Sequence, residues 1–412
     1  MPEDALFAPA QTTAEMASAT GDQAWLAAML EFEAALAEAS AKVGLISPEA
    51  AAAIAGEARA GGYEAAEIGR QAEASATPVL PLVEALRERL PAAYAGDVHR
   101  GATSQDCLDT ALMLVAREAL AVLDEELAGL ANVCAELAER HQATAMAGRT
   151  LLQQAVPITF GLKAAGWLLA VDAAWARLRQ IGDERLALQL GGAAGTLDGF
   201  GGRGLEVRAE LGRRLGLTVP PLAWHADRTR VAELGAALGI AAGVAAKIAL
   251  DVLLLAQTEV AEVSEPAPGR STAMPHKRNP VSAVEARAAA AGAQAQAGLL
   301  LQALAGEHER SGGAWQSEWT AVGAAFRLTA GAVAHARASL TGIHVDQRRM
   351  QRNLGLGPGR EADTGQAEEL VEDALRRWRS GSRSASAPVV VRPAGRSRES
   401  RQAGARSHRR GA

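Results

Sequence analysis

Residues 106–141, DCLDTALMLVAREALAVLDEELAGLANVCAELAERH, decide the fold class. Only Gly129 interrupts this helical pattern of 36 residues, which would make a rod of about 54 Å at 1.5 Å per residue. Leu123, Leu127, Leu130, Cys134 and Leu137 recur at spacings of 4, 3, 4 and 3, a seam for packing against other helices. Similar long patterns cover about 158–188, 228–263, 281–310 and 320–342. Ahead of them, 24–42 reads as an amphipathic helix, with Trp25, Met29, Phe32 and Leu36 on one face and Glu31 and Glu33 elsewhere. Ser47-Pro48-Glu49 marks a further helix start, with Ser as N-cap and Pro at N1. Two prolines predict that Ala76 to Pro81 is extended or turning. Glycine-rich connections follow at 191–195 and 199–204, and a Pro-Gly stretch at 264–270.

Composition agrees with an all-α protein. Hydrophobic residues make up 49% of the 412-residue chain but aromatic residues only 3%, so the apolar content is mainly Ala, Leu and Val. Ala and Leu head the helix-propensity scale, while strand-favouring residues are thin. The net charge of −5 hides an asymmetry. Arg379 to Ala412 holds nine Arg and one Glu, which leaves −13 on the body. An acidic body argues against a nucleic-acid binder. Cys107 and Cys134 show no CxxC spacing and read as small buried thiols. No apolar signal core follows Met1-Pro-Glu-Asp4, and Lys247 and Asp251 break the most apolar stretch, so neither export nor a membrane span is expected. A cytoplasmic protein is the expectation. Residues 1–100 form an N-terminal helical domain in this reading, 101–345 a central long-helix bundle, 346–378 a shortened C-terminal helical region and 379–412 a disordered basic tail.

Chemistry concentrates in three polar segments. Gly269-Arg-Ser-Thr-Ala-Met-Pro-His-Lys-Arg-Asn-Pro280 lies between two long helices and carries Arg270, Lys277, Arg278 and a potential fourth cation in His276. Such a loop binds anions or is simply solvated. His99-Arg-Gly-Ala-Thr-Ser-Gln-Asp106 opens the 36-residue helix. Thr103, Ser104 and the first free amides there make either an anion site or a plain cap. Gly148-Arg-Thr-Leu-Leu-Gln-Gln-Ala-Val-Pro157 joins two long helices. Glu307-His-Glu-Arg310, and Trp224-His225 with Arg228, read more naturally as structural or surface groups, with an active-site role left open. No Walker loop, dinucleotide fingerprint or metal-ligand spacing is present, so no cofactor and no metal is expected.

Ser271-x-x-Met-Pro-x-Lys277-x-Asn279 resembles the signature loop of the fumarase/aspartase superfamily of homotetrameric, all-helical lyases. Thr103-Ser104-Gln105-Asp106 and Gly148-Arg149-Thr150 fall where that superfamily has its other two active-site segments. With Glu-His-Glu-Arg…Trp-Gln-Ser-Glu-Trp, the chain looks most similar to the bacterial 3-carboxy-cis,cis-muconate cycloisomerase branch over about residues 5–350. The resemblance implies lactonisation of a tricarboxylate in protocatechuate breakdown, the β-ketoadipate pathway. It implies Ser271 as the group that moves the carbon-bound proton, and His99 as an orienting or proton-sharing group. Thr103, Ser104, Gln105, Thr150, Gln154, Arg228, Lys277 and Asn279 would bind substrate. The sites would be shared between subunits of a homotetramer, with no nucleic-acid or membrane partner. Another superfamily lyase, adenylosuccinate-lyase-like and releasing fumarate, is the alternative, as is a helical scaffold that has lost turnover. Many members carry His where this chain has Leu151. A carboxylate leaving group needs no proton, whereas an amine or hydroxide does, so Leu151 favours the cycloisomerase.

Overall fold

The computed structural model describes residues 6–7, 10–274, 276–355 and 362–385, the last four as backbone only. The N-terminal part comprises α1 (Ala14–Ala19), α2 (Asp22–Lys42), α3 (Pro48–Ala60), α4 (Ala65–Ala72), α5 (Val79–Glu88) and α6 (Ala92–Ala95). The Ser47 cap forms as expected, its Oγ accepting from Ala50 N at 3.1 Å. Ala76 to Pro81 is only half extended: α5 begins at Val79 directly behind Pro78. Pro81 fits there because a proline in the first helical turn forfeits no intrahelical hydrogen bond. In α2 the expected amphipathic split fails, since Glu33 is as buried as Phe32.

α7 (Ser104–Arg140) is the long rod, and Leu123, Leu127, Leu130, Cys134 and Leu137 are all buried along it. Each such leucine taken fully out of water contributes roughly 1.5–3 kcal/mol. Over residues 105–116 the helix is buried on every side, polar residues included. The segment after α7 is an antiparallel hairpin, β1 (Ala145–Thr150) with β2 (Gln153–Thr159), and not the plain connector the sequence suggested. It leads into α8 (Phe160–Glu184), whose N-cap Thr159 accepts from Leu162 N.

A 3-10 turn at Asp198–Phe200 and α9 (Gly204–Leu215) fill the glycine-rich region. Then come α10 (Thr229–Leu255), β3 (Val263–Ser264), α11 (Val281–Gln302), α12 (Ala314–Leu340), β4 (His344–Val345), α13 (Gln347–Asn353) and α14 (Ala367–Ala385). α10 is long and apolar enough to cross a membrane. Here it packs against α8, α11 and α12, with Leu238, Ala242, Ala245, Ile248 and Val252 buried by protein. Gly235 and Gly239 set its approach to α11: a Cβ at either would stand 2.6 Å from Leu300 Cδ1 or 2.9 Å from the Ala297 methyl. α14 runs seven residues past the expected end of the last helix and packs on α7 and α8 through Val371, Ala374 and Leu375. The rest of the basic tail, 386–412, lies outside the described residues.

Candidate functional site

The first segment sits at the N-terminal end of α7, held by carboxylates inside the helix. Asp106 accepts from Gly191 N and Gly192 N at 2.9 Å, from Thr103 N at 3.1 Å and from His225 Nε2 at 2.7 Å. It therefore ties the glycine loop and the Trp224-His225 turn to the mouth of α7, where the first free amides and the helix dipole favour an anion. Thr103 is the N-cap. Arg310 Nη1 donates to its Oγ1 at 2.7 Å, and Arg310 Nη2 to Ala193 O at 2.9 Å. This guanidinium beside the helix mouth is a candidate anion ligand, in a segment that the sequence reading took for structural or surface groups. Ser104, half-buried, is the first residue of the helix.

Two residues expected to touch substrate belong to the core instead. Arg228 is 1% exposed. Its Nη1 and Nη2 pair with Asp109 at 2.8 and 3.0 Å, and its Nε with Glu318 at 3.0 Å. Gln105 is fully buried and its Nε2 donates to Asp109 and to His225 O. Trp315 Nε1 and Gln189 Nε2 complete the ring around Asp109. Four elements are locked together by this cluster, and its donors are spent on protein acceptors, so neither side chain can offer a hydrogen bond to a ligand.

The second segment is the hairpin tip. Leu151 and Leu152 both have positive φ, 51° and 64°, as a two-residue hairpin turn with the strand twist demands, although Asn-Gly would fit far more cheaply. Leu151 is 97% exposed. Arg149 grips the buried Glu262 through Nη1 and Nη2 at 2.9 and 2.6 Å, and Asn353 Nδ2 shares that carboxylate at 2.8 Å. Thr150 is exposed, and Gln154 Nε2 donates to Asn353 O.

The third segment leaves the same end of the bundle. Three residues beyond Glu262, Glu265 caps α11 by accepting from Ser282 N and Ala283 N. Gly269 and Asn279 then close the loop with paired backbone hydrogen bonds of 2.8 and 3.0 Å. Inside it, Ser271 Oγ accepts from Met274 N at 3.1 Å and Ala273 N at 3.3 Å. Arg270, Lys277 and Arg278 are exposed. Amides that face the hydroxyl oxygen favour its alkoxide, and three exposed cations favour an anionic ligand.

Within one chain the first segment does not meet the other two. The first segment opens α7, while the hairpin follows its far end. That is a separation of about 55 Å at 1.5 Å per residue over the 37 residues of α7. Apolar side chains also stand exposed on the long helices between, Leu169 on α8, Ile240 and Leu250 on α10 and Val284 on α11.

A family model described as lyase matches residues 9–294. The 3-carboxy-cis,cis-muconate cycloisomerase of Pseudomonas aeruginosa is 42% identical over 365 residues, 87% of this chain and 80% of that protein. The nitrosuccinate lyase of Streptomyces davaonensis is 44% identical over 371 residues, 87% of this chain and 78% of that protein. The crystal structure of 3-carboxy-cis,cis-muconate lactonizing enzyme from Pseudomonas putida superposes with a TM-score of 0.79 at 36% identity, covering 92% of this chain and 88% of that one. The long-helix bundle, the three polar segments and these matches agree: the chain belongs to the lyase family of the fumarase/aspartase superfamily.

Proposed function

We propose that this chain is a cycloisomerase that converts 3-carboxy-cis,cis-muconate to 4-carboxymuconolactone. The observation that carries the reading is the pair of backbone amides on Ser271 Oγ, set in a loop with three exposed cations. In the lactonising direction a substrate carboxylate oxygen forms a C–O bond to one alkene carbon. The π electrons move onto the neighbouring carbon and its carboxylate, and that carbon takes the Ser271 proton. The alkoxide left behind is the species that the two amides and Lys277 stabilise. Reversed, the alkoxide removes the carbon-bound proton and the carboxylate departs. Asn279, Thr150 and the α7 mouth with Thr103, Ser104 and Arg310 supply donors for the remaining carboxylates.

Because the α7 mouth and the cationic loop lie at opposite ends of a chain, the site forms where copies of the chain meet, a homotetramer in this reading. The exposed apolar residues on α8, α10 and α11 are what such contacts would cover. A cytoplasmic setting goes with this small-molecule chemistry.

Leu151 gives a second reading its footing. With no proton donor at that position, any leaving group that is already a stable anion suits the site, and a relative at 44% identity is a nitrosuccinate lyase. Purified protein mixed with 3-carboxy-cis,cis-muconate is expected to consume the conjugated ultraviolet absorbance of the diene. An unchanged trace, with nitrite released from nitrosuccinate by the same preparation, would transfer the assignment to the second reading.

A further inference from the structure

Glu33 has no place in the chemistry above, yet its setting is unusual. It lies mid-way along α2 and is 1% exposed. Its Oε1 stands 2.6 Å from His99 Nδ1, 66 residues on in the chain, while its Oε2 is buried without a hydrogen-bond partner. The Cys107 thiol is close enough that this carboxylate, after burial itself, helps to push its pKa well up. An acid buried with an unsatisfied oxygen is expensive. α2 does not need it for packing, since Met29, Phe32 and Leu36 bury the helix.

The partner carries a second cost. His99 has φ 60°, a left-handed conformation that a residue with a Cβ seldom adopts. The turn it starts closes through Ala102 N to His99 O and delivers the chain into Thr103 at the α7 mouth. Strained backbone and buried acid thus converge on one imidazole beside the anion-favouring helix end. Costs of this kind gather where the aim of a side chain matters.

We propose that Glu33 is the positioning residue of the active site: its carboxylate takes the His99 Nδ1 hydrogen and fixes the ring with Nε2 turned away from α2, toward a substrate carboxylate. A carboxylate can only accept, so Nδ1 must carry the hydrogen, and the tautomer follows from the contact. The inference rests on the lyase reading for what meets Nε2.

The groups that bear on His99 are Glu33 from α2, Asp106 from α7 and Arg87 from α5. Burial pulls its pKa down and Arg87 adds to that, but Glu33 first and Asp106 second outweigh them, so the folded value lies above that of a free imidazole. Below its pKa the ring donates from Nε2 and attracts an anion; above it the donor is lost. kcat/KM should therefore fall as pH rises through this value, and without the Glu33 charge that limb should sit at lower pH.

The test is Glu33→Gln, which keeps an acceptor and removes the charge. Profiles of kcat/KM on 3-carboxy-cis,cis-muconate are expected to show the alkaline limb displaced downward by about one pH unit, with the low-pH plateau retained. A limb that superposes on that of the unaltered protein would overturn the proposal. Nitrogen-15 NMR of histidine-labelled, unaltered protein, with the His99 signal identified through His99→Gln, tests it without any change at Glu33. Above the His99 midpoint the ring is expected as the Nδ1–H tautomer, and an Nε2–H tautomer would contradict the assignment. A chain that does not turn over the substrate counts against the lyase reading alone, and the tautomer then decides the role of Glu33.

Discussion

Replacing Ser271 with Ala is expected to lower kcat by about a thousandfold while KM changes little. In the proposed reaction the hydroxyl exchanges a proton with carbon, and a positioned acid–base group is worth on the order of 10²–10⁴ in rate. Two further observations set the size of the effect. The Met274 and Ala273 amides already face Ser271 Oγ, so the stabilisation they offer is lost with the oxygen. Exposed Lys277 and Arg278 remain in the variant and go on attracting the substrate's carboxylates. Steady-state kinetics on purified variant and parent, with equal helical circular dichroism, would check this. A Ser271→Ala protein that keeps a tenth or more of the parental kcat would move proton transfer to another residue.

The second large effect is on stability. Arg228→Met leaves Asp109 and Glu318 facing each other in the core without their cation, a situation that costs about 3–5 kcal/mol. The midpoint of thermal unfolding should drop by roughly 5 °C. Burial already raises the Glu318 pKa against the pull of Arg228. Loss of the arginine removes that pull and raises it further. A carboxyl whose folded pKa exceeds the unfolded one stabilises the fold below the unfolded pKa, and this stabilisation is lost as pH rises through the folded value. The deficit of the variant should therefore shrink as the solution is made more acidic. Unfolding curves at several pH values measure it, and a deficit that is constant with pH would mean that neither carboxyl takes up the proton.

Two cations in these segments looked alike in sequence. Arg228 and Lys277 are both cations near polar motifs, but one is sealed into the core and the other is exposed. What separates them is a partner 119 residues away, Asp109, which sits one helical turn beyond Gln105 in a stretch buried on all sides. A helix interior with Gln105, Asp106, Asp109 and Thr110 among leucines must satisfy them somewhere, and that requirement was the available clue. Glu33 hid for the same reason. A lone acid on a helix is normally solvated, and only the turn that brings His99 back to α2 makes it internal.

The helices themselves were legible because Ala and Leu at spacings of three and four leave few alternatives. The β1–β2 hairpin was not. Its turn carries Leu151-Leu152 where the pattern asks for Asn-Gly, and a bulge at Gly148 breaks the alternation. Its hold on the body comes from Arg149 reaching Glu262, 113 residues on. α9 was masked by the glycines around it, although Val207 and Leu211 bury a clear apolar side. The cationic loop stood out by its charge, but charge alone left it either anion-binding or solvated, and the roles given to Ser271, Lys277 and Asn279 came with the family resemblance. Its two amides on Ser271 were beyond the sequence, because they depend on how Gly269 and Asn279 pinch the chain.

In the proposed enzyme each site is built from opposite ends of different copies. Mixed assemblies made by co-expression of two inactive variants, Ser271→Ala and His99→Ala, address it directly. Each variant retains the end that the other has lost. If every site draws its α7 mouth from one copy and its cationic loop from another, random mixing restores about a quarter of the parental activity. Activity in the mixture no higher than in either variant alone, with both chains present in one particle, would contradict the shared site.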